Sequence, residues 1–323
     1  MCPPRPDARP PVVVVTGPTS AGKTTLAIEL ALRFGGEIVN ADSMQVYRYL
    51  DIGTAKATPQ QRRQVPHHLL DVVNPDASYS AGRYLREARA AAAGIHRRGL
   101  PVFLTGGTGL YIRAFLEGLV QAGEADPALR AQLEQEHEQA LAAGDAARLH
   151  RRLAQQDAAA ARTIHPHDVK RVIRALEIGQ QGKRRASELR GQHRFGDRPY
   201  RVLHLVLDPG RAALDARIDA YCRQMLELGL LQEVRRLRER GYGPELRPMQ
   251  AIGYRHMAPV VEGRDTLENA LEAMQRDTRR FARRQRTWLR RVPDALWLPP
   301  EPRDAIHETL AAFLGEEASR HSM

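Results

Sequence analysis

The sequence predicts an α/β protein with a P-loop parallel-sheet core and a mainly helical insertion. Three observations predict it. Four consecutive valines at 12–15 run into Gly17-Pro18-Thr19-Ser20-Ala21-Gly22-Lys23-Thr24, which fits the pattern G-x-x-x-x-G-K-[ST] at every fixed position. Strand and helix signals alternate after that motif with short connections, as a parallel sheet covered by helices requires. Near Gly123 the alternation stops, and helix formers dominate as far as Gly182.

Residues 1–11 are Pro-rich with no apolar stretch, so they read as a disordered lead-in and not as a secretory signal. The valines form a buried strand, far too short to span a membrane. Leu26, Ala27, Leu30, Ala31 and Phe34 recur at helical spacing, and Gly35-Gly36 stops that helix. Residues 37–40 make a second strand and 80–98 an Ala-rich helix. Residues 101–105 form another buried strand, leading through Gly106-Gly107-Thr108-Gly109 into a helix over 110–119. Asp126-Pro127 supplies an N-cap and a first-turn proline, and no strand signal follows before Gly182. Residues 182–199, basic and interrupted by glycines, read as an exposed connection. The sheet resumes with a strand over 201–208. Helices follow over 212–240 and 266–290, then a short strand at 296–298 and a closing helix at 305–314. The core therefore comprises 12–120 and 200–316, and the insertion 121–199.

A chain of 323 residues with 42% hydrophobic content is long enough for one large α/β core. Its two cysteines, Cys2 and Cys222, offer no disulfide framework and no zinc spacing, which points to a reducing, cytoplasmic compartment. The net charge of +11 exceeds what a small anionic substrate demands and points to a polyanionic partner. Only four lysines occur, so drift toward arginine also operates and the placement of the arginines must carry that argument.

The first glycine loop is the strongest chemical signal. Backbone N–H groups and the helix N-terminus attract an anion, Lys23 adds a point charge, and the Thr24 hydroxyl is suited to magnesium. The loop specifies phosphate or diphosphate without naming its carrier. Asp42 follows the second strand at the carboxyl edge of the sheet, where ligands of open α/β folds bind. It reads either as a general base or magnesium holder facing the phosphate site, or as a turn residue. Thr105 to Gly109 is a second glycine loop, a weak signal by itself. Residues 275–291 hold eight arginines against one acid. Arg279, Arg283, Arg286 and Arg290 share a helical stripe, with Phe281, Trp288 and Leu289 marking the buried side. The absence of interleaved Glu favours phosphate contacts over a solvated face. His67-His68 and His165/His167 read as structural rather than metal-ligating.

Together these motifs resemble the bacterial tRNA dimethylallyltransferases (isopentenyl-tRNA transferases). The resemblance runs through GPTSAGKT at 17–24, NADSMQVYRYLDIGTAK at 40–56, VPHHLLD at 65–71, YSAGRY at 79–84 and GGTGLYIRAFLEGL at 106–119. It continues in IHPHDVKRVIRALEI at 164–178, QAIGYR at 250–255 and RRQRTWLRR at 283–291. It implies transfer of a dimethylallyl group from dimethylallyl diphosphate to the exocyclic amine of the adenosine 3′ of the anticodon, in tRNAs reading codons that start with U.

Carried onto this sequence, the resemblance implies Asp42 as general base, with Lys23 and Thr108 at the catalytic centre. Gly17 to Thr24 become the diphosphate cradle, and Thr24 the Mg2+ ligand. Asp42, Ser43, Met44, Gln45 and Thr108 become contacts to the substrate adenosine. Arg130 and the segment Lys170, Arg171, Val172, Ile173, Arg174 become further tRNA contacts, beside the arginine stripe. One departure concerns Leu-x-x-Arg-Ile-x-x-Arg: Leu214, Arg217 and Ile218 are present, but Tyr221 replaces the second arginine. If that arginine helps hold the diphosphate, Arg217 or Arg223 covers for it, and Arg217 is the candidate carried forward. The expected partners are tRNA and dimethylallyl diphosphate, with no membrane or protein partner and a monomeric state. A P-loop small-molecule kinase is the principal rival. It shares residues 17–24 and Asp42 but leaves the arginine-rich helix unexplained.

Overall fold

A computed structural model describes residues 8–120, 126–182, 185–193 and 196–318. Most of the lead-in, Cys2 and the boundary near Gly123 lie outside these residues. The chain forms two compact units, residues 1–116 with 198–323, and residues 117–197.

The first unit opens with β1 (Pro11–Thr16), α1 (Lys23–Phe34) and β2 (Glu37–Asn40). Next come α2 (Pro59–Gln64), β3 (His67–His68), α3 (Ala81–Arg97), β4 (Val102–Thr105) and α4 (Gly109–Glu117). Pro11 already belongs to the first strand, because it pairs with Arg201 and its position in the sheet is buried. Gly35, at φ 69°, closes α1, and Ser80 caps α3 by accepting from the Arg83 N–H.

The second unit is helical among its described residues. It contains α5 (Pro127–Ala142), α6 (Arg148–Gln156), α7 (Ala158–Thr163), α8 (Val169–Gln181) and α9 (Ala186–His193). Asp126 caps α5, its Oδ1 accepting from the N–H groups of Ala128 and Leu129. Leu133, Leu149, Leu153, Val172, Ile173 and Leu176 close its core. The helix α9 falls where an exposed connection is expected. Its Ala186 is buried in this core, and the Ser187 N–H donates to Asp157, so packing overrides the glycines.

The chain returns to the first unit with β5 (Arg201–Leu207), α10 (Arg211–Glu227) and α11 (Leu230–Glu239), the last two separated at Gly229. A short 3-10 turn precedes α12 (Tyr254–Val261) and α13 (Leu267–Leu289). Then β6 (Leu296–Leu298) and α14 (Asp304–Ala318) end the fold.

All six strands are parallel, in the order β3-β2-β4-β1-β5-β6. Side chains of β1 alternate between two cores, so a continuous valine run suits it. Val12 and Val14 join Val39, Val102 and Leu104 under α3 and α13. Val13 and Val15 join Ile38, Phe103 and Leu205 under α1 and α14. Burying each valine contributes roughly 1.5–3 kcal/mol, which fixes the strand whose end launches the phosphate loop. No helix among the described residues is long and apolar enough to cross a membrane.

Candidate active site

The crevice lies at the carboxyl edge of the sheet, where β1, β2 and β4 release their loops. The loop after β1 is tied to itself. The Ala21 N–H donates to the Pro18 carbonyl at 3.2 Å, and Lys23 Nζ to the same oxygen at 2.8 Å. Gly17 lies so close to β5 that a Cβ there would run into the Leu207 carbonyl. Ser20 adopts φ 62°, and its hydroxyl oxygen is buried with no hydrogen-bond partner among the described residues. Pro18 and Ala21 thus shape the loop and do not donate to an anion: one has no N–H, and the other spends its own inside. The Thr19 N–H is also engaged, donating to Gln285 Oε1 at 2.8 Å. Gly22, Lys23 and Thr24 stand at the start of α1, where its free N–H groups and dipole favour negative charge.

Asp42 follows β2. Its Oδ1 accepts from the Met44 N–H at 2.8 Å, and its own N–H donates to Asn40 Oδ1 at 3.0 Å. The turn and the functional readings of Asp42 are therefore compatible, since one carboxylate oxygen makes the turn and the other is turned toward Gly107. Burial raises its pKa above the usual carboxylate range, although the Met44 N–H and the Lys23 charge pull the other way. Burial brings Lys23 down to about 8, opposed by Asp42. The two groups are electrostatically coupled across the crevice.

The loop after β4 holds the Asp42 segment. A Cβ at Gly106 would enter the Ala41 backbone, so only glycine lets the two loops approach. The Thr108 N–H donates to the Ala41 carbonyl at 3.1 Å, and Thr108 Oγ1 accepts from the Ser43 N–H at 2.9 Å. Gln45 Nε2 donates to the Thr54 carbonyl at 2.9 Å, folding residues 45–55 into one loop.

Two further ties were not assigned from the sequence. Lys56, its side chain fully buried, donates to the Tyr47 carbonyl, Asp51 and Asp71, each at 2.8 Å. Glu233 on α11 is 4% exposed. It accepts from the N–H groups of Asp51, Ile52 and Gly53 at 2.9–3.2 Å and from the Tyr254 hydroxyl at 2.6 Å. The available hint was an acid among Leu230, Val234 and Leu237, at a position that faces the core.

The arginine stripe on α13 divides. Arg283 and Arg290 are exposed. Arg279 is paired with Asp219, and Arg286 with Asp208 at 2.8 Å, where it is largely covered. Carboxylates from α10 and the end of β5 thus pair with two of the four arginines expected to meet phosphate. Of the residues expected to mark the buried side, Leu289 is fully buried and Trp288 half-buried, whereas Phe281 is 37% exposed. Arg217 stands exposed on α10, and Tyr221, one turn on, is half-buried with its pKa raised to about 12 by burial.

In the helical unit, Val172 and Ile173 are 1% and 4% exposed. Their side chains belong to its core and not to a tRNA contact. Arg130 and Arg174 both pair with the buried Glu177, at 2.7 and 3.0 Å. Lys170 and Arg171 are exposed, Arg171 lying 3.3 Å from Asp168.

A glycine-rich loop between a parallel strand and a helix, with the Asp42 carboxylate at the same edge of the sheet, defines an α/β protein with a candidate phosphate site. Two family models match: IPP transferase over residues 45–292 and isopentenyl transferase over 10–71. The tRNA dimethylallyltransferase 2 of Syntrophus aciditrophicus is 46% identical over 96% of this chain and 98% of its own length. A tRNA dimethylallyltransferase of Desulfosudis oleivorans is 49% identical over 90% and 91%. The crystal structure of a tRNA isopentenylpyrophosphate transferase from Bacillus halodurans, 36% identical, matches with a TM-score of 0.69 over 98% of this chain and 100% of its own. A eukaryotic dimethylallyltransferase acting on tRNA, 29% identical, gives 0.82 over 96% and 80%. The chain belongs to the tRNA dimethylallyltransferase family.

Proposed function

We propose that the protein transfers a dimethylallyl group from dimethylallyl diphosphate to N6 of the adenosine 3′-adjacent to the anticodon, in tRNAs that read codons starting with U. The observation that carries this reading is that the Asp42 carboxylate faces the Gly107 loop, which Gln285 ties to the phosphate loop at Thr19. A carboxylate and an anion-binding loop thus meet at one edge of the sheet.

The reaction balances without a redox partner. The bond between the allylic carbon and the diphosphate oxygen breaks, and its electrons leave with diphosphate. The amine nitrogen bonds the allylic carbon, and its proton passes to Asp42. The exposed backbone N–H groups at the start of α1 and the Lys23 ammonium neutralise the departing charge, the largest electrostatic demand of the step. A desolvated carboxylate with a raised pKa is suited to accept the proton of a weakly basic amine. Thr108, Ser43, Met44 and Gln45 line the acceptor side. The adenine must leave the anticodon stack to reach them.

The donor set fits one Mg2+ held lightly. Thr24 stands in the first turn of α1, the Ser20 hydroxyl of the same loop is buried with no hydrogen-bond partner among the described residues, and no cluster of three His, Cys, Asp or Glu forms a dedicated cage among the described residues. Thr24 would help hold such an ion, which would supply charge neutralisation at the leaving group. Lys170 and Arg171 of the helical unit, together with Arg283 and Arg290, are the candidate contacts to the tRNA backbone. Arg217, exposed on α10, is a candidate contact to the diphosphate, whereas Arg130 and Arg174 are candidate tRNA contacts already engaged by Glu177.

Mass spectrometry of tRNA incubated with the protein and dimethylallyl diphosphate, with ATP as the alternative donor, tests the reading. A five-carbon addition to the adenosine beside the anticodon is expected. Phosphorylated product with ATP and no addition from dimethylallyl diphosphate would overturn it.

A further inference from the structure

The helix α13 carries one polar side chain into its buried face. Gln285 is 4% exposed among Ala282, Leu289 and Met274. An amide in such a place is costly unless both ends are bonded. Here Oε1 accepts from the Thr19 N–H at 2.8 Å, and Nε2 donates to the Gly107 carbonyl at 3.3 Å. One bond reaches the donor loop after β1, the other the acceptor loop after the neighbouring strand β4.

Gly107 leaves the space the amide occupies. A Cβ built there would lie 2.5 Å from Gln285 Nε2 and 3.8 Å from Asp42 Oδ2. The Gln285 amide and the Asp42 carboxylate therefore border the same point. The next turn fixes the helix separately, since Trp288 lies so close to Gly109 that a Cβ would stand 3.0 Å from the indole. Trp288 therefore gives α13 a second anchor on the β4 loop beside the two bonds of Gln285.

We propose that Gln285 is a positioning residue that sets the separation between the diphosphate loop and the Asp42 loop, and so the approach of the amine to the allylic carbon. The proposal rests on the transferase reading above. The Thr19 N–H is held by Gln285 Oε1 in this structure, so on this proposal the amide acts through the two loops. Its loss removes the spacer. Misplacement by about 1 Å costs up to about 100-fold in rate. Separate affinities for donor and tRNA survive while the rate from the ternary complex falls.

Two variants approach the point from opposite sides. Gln285→Met keeps length and bulk but makes neither bond. Gly107→Ala leaves Gln285 intact and pushes its amide aside, and Gly107 does not lie in the left-handed region, so alanine is compatible with its backbone. The experiment measures single-turnover dimethylallyl transfer at saturating dimethylallyl diphosphate and tRNA, with each Kd measured separately. Both variants are expected to lose about 10- to 100-fold in rate with each Kd within about threefold of wild type. A rate within about twofold of wild type in either variant, or a loss recovered by more dimethylallyl diphosphate, would overturn the proposal. If Gln285→Met does not fold, Gly107→Ala decides alone. A wild-type enzyme that transfers no dimethylallyl group at all would instead overturn the transferase reading.

Discussion

In the donor loop most ties run within a few residues: Ala21 to Pro18, Lys23 to Pro18 and Leu26 to Gly22. The acceptor segment at 41–56 is held from far along the chain. Thr108 fixes Ser43, Asp71 pairs with Lys56, and Glu233 collects three backbone N–H groups of residues 51–53. The donor site needs only a strand, a turn and a helix in sequence. The acceptor site needs the whole first unit assembled. A phosphate loop is accordingly reusable in many folds, whereas selection of a particular nucleophile depends on tertiary ties.

The largest expected effect breaks the acceptor side alone. Asp42→Ala should lower single-turnover transfer by about 10²–10⁴-fold while tRNA affinity stays nearly intact. Near-normal transfer would reduce Asp42 to a turn residue. Lys23→Ala should act on the other side, raising the KM for dimethylallyl diphosphate. In the wild type the same loss should appear as the pH rises through about 8, where donor-free Lys23 gives up its proton. A donor KM flat across that pH range would count against the cradle.

Glu233→Ala tests whether the acceptor segment depends on its remote anchor. Three N–H groups and the Tyr254 hydroxyl lose their acceptor, so unfolding free energy should fall by about 3 kcal/mol or more. Denaturant titration measures it. On the donor side, His204 is buried against Thr16 at 2.8 Å, and burial lowers its pKa to about 4. The unfolded chain binds this proton below its ordinary pKa of about 6.5, and the folded protein only below about 4. Stability from this group is therefore present above about 6.5 and declines as pH falls toward about 4, by about 3 kcal/mol in total. His204→Asn should flatten the stability curve in that window.

What could be read in advance follows the same division. The sheet, its central strand and residues 17–24 were legible because each rests on local spacing. Asp42 was legible as an acid after a strand, and Thr108 as part of a second glycine loop. Glu233 was not, and Lys56 and Gln285 stood inside family motifs without a role, because the bonds of Glu233 and Gln285 and the Lys56–Asp71 pair reach residues that no spacing rule connects. The arginine stripe shows what spacing alone leaves out. Helical geometry aligned Arg279, Arg283, Arg286 and Arg290, yet Asp219 and Asp208, supplied by other elements, pair with two of them. Val172 and Ile173 likewise sat in a basic segment while facing a core.

The smallest expected effect follows from that correction. Replacing Arg283 and Arg290 by Gln should reduce the salt slope of log K for tRNA by roughly 0.7–0.9 per lost phosphate contact. Arg279→Gln should leave the slope unchanged, because its partner is Asp219. Equal slopes for all three variants would restore a uniform stripe.

The pH dependence of single-turnover transfer at subsaturating donor, wild type beside Asp42→Asn, tests most directly that a proton acceptor and an anion cradle share one crevice. The wild-type profile should rise through an acid limb above the usual carboxylate range, from Asp42, and fall near about 8, from Lys23. Asp42→Asn should lose the acid limb, keep the alkaline fall and run about 10²–10⁴-fold slower at its best pH. An unchanged acid limb at a near-wild-type rate would contradict the account.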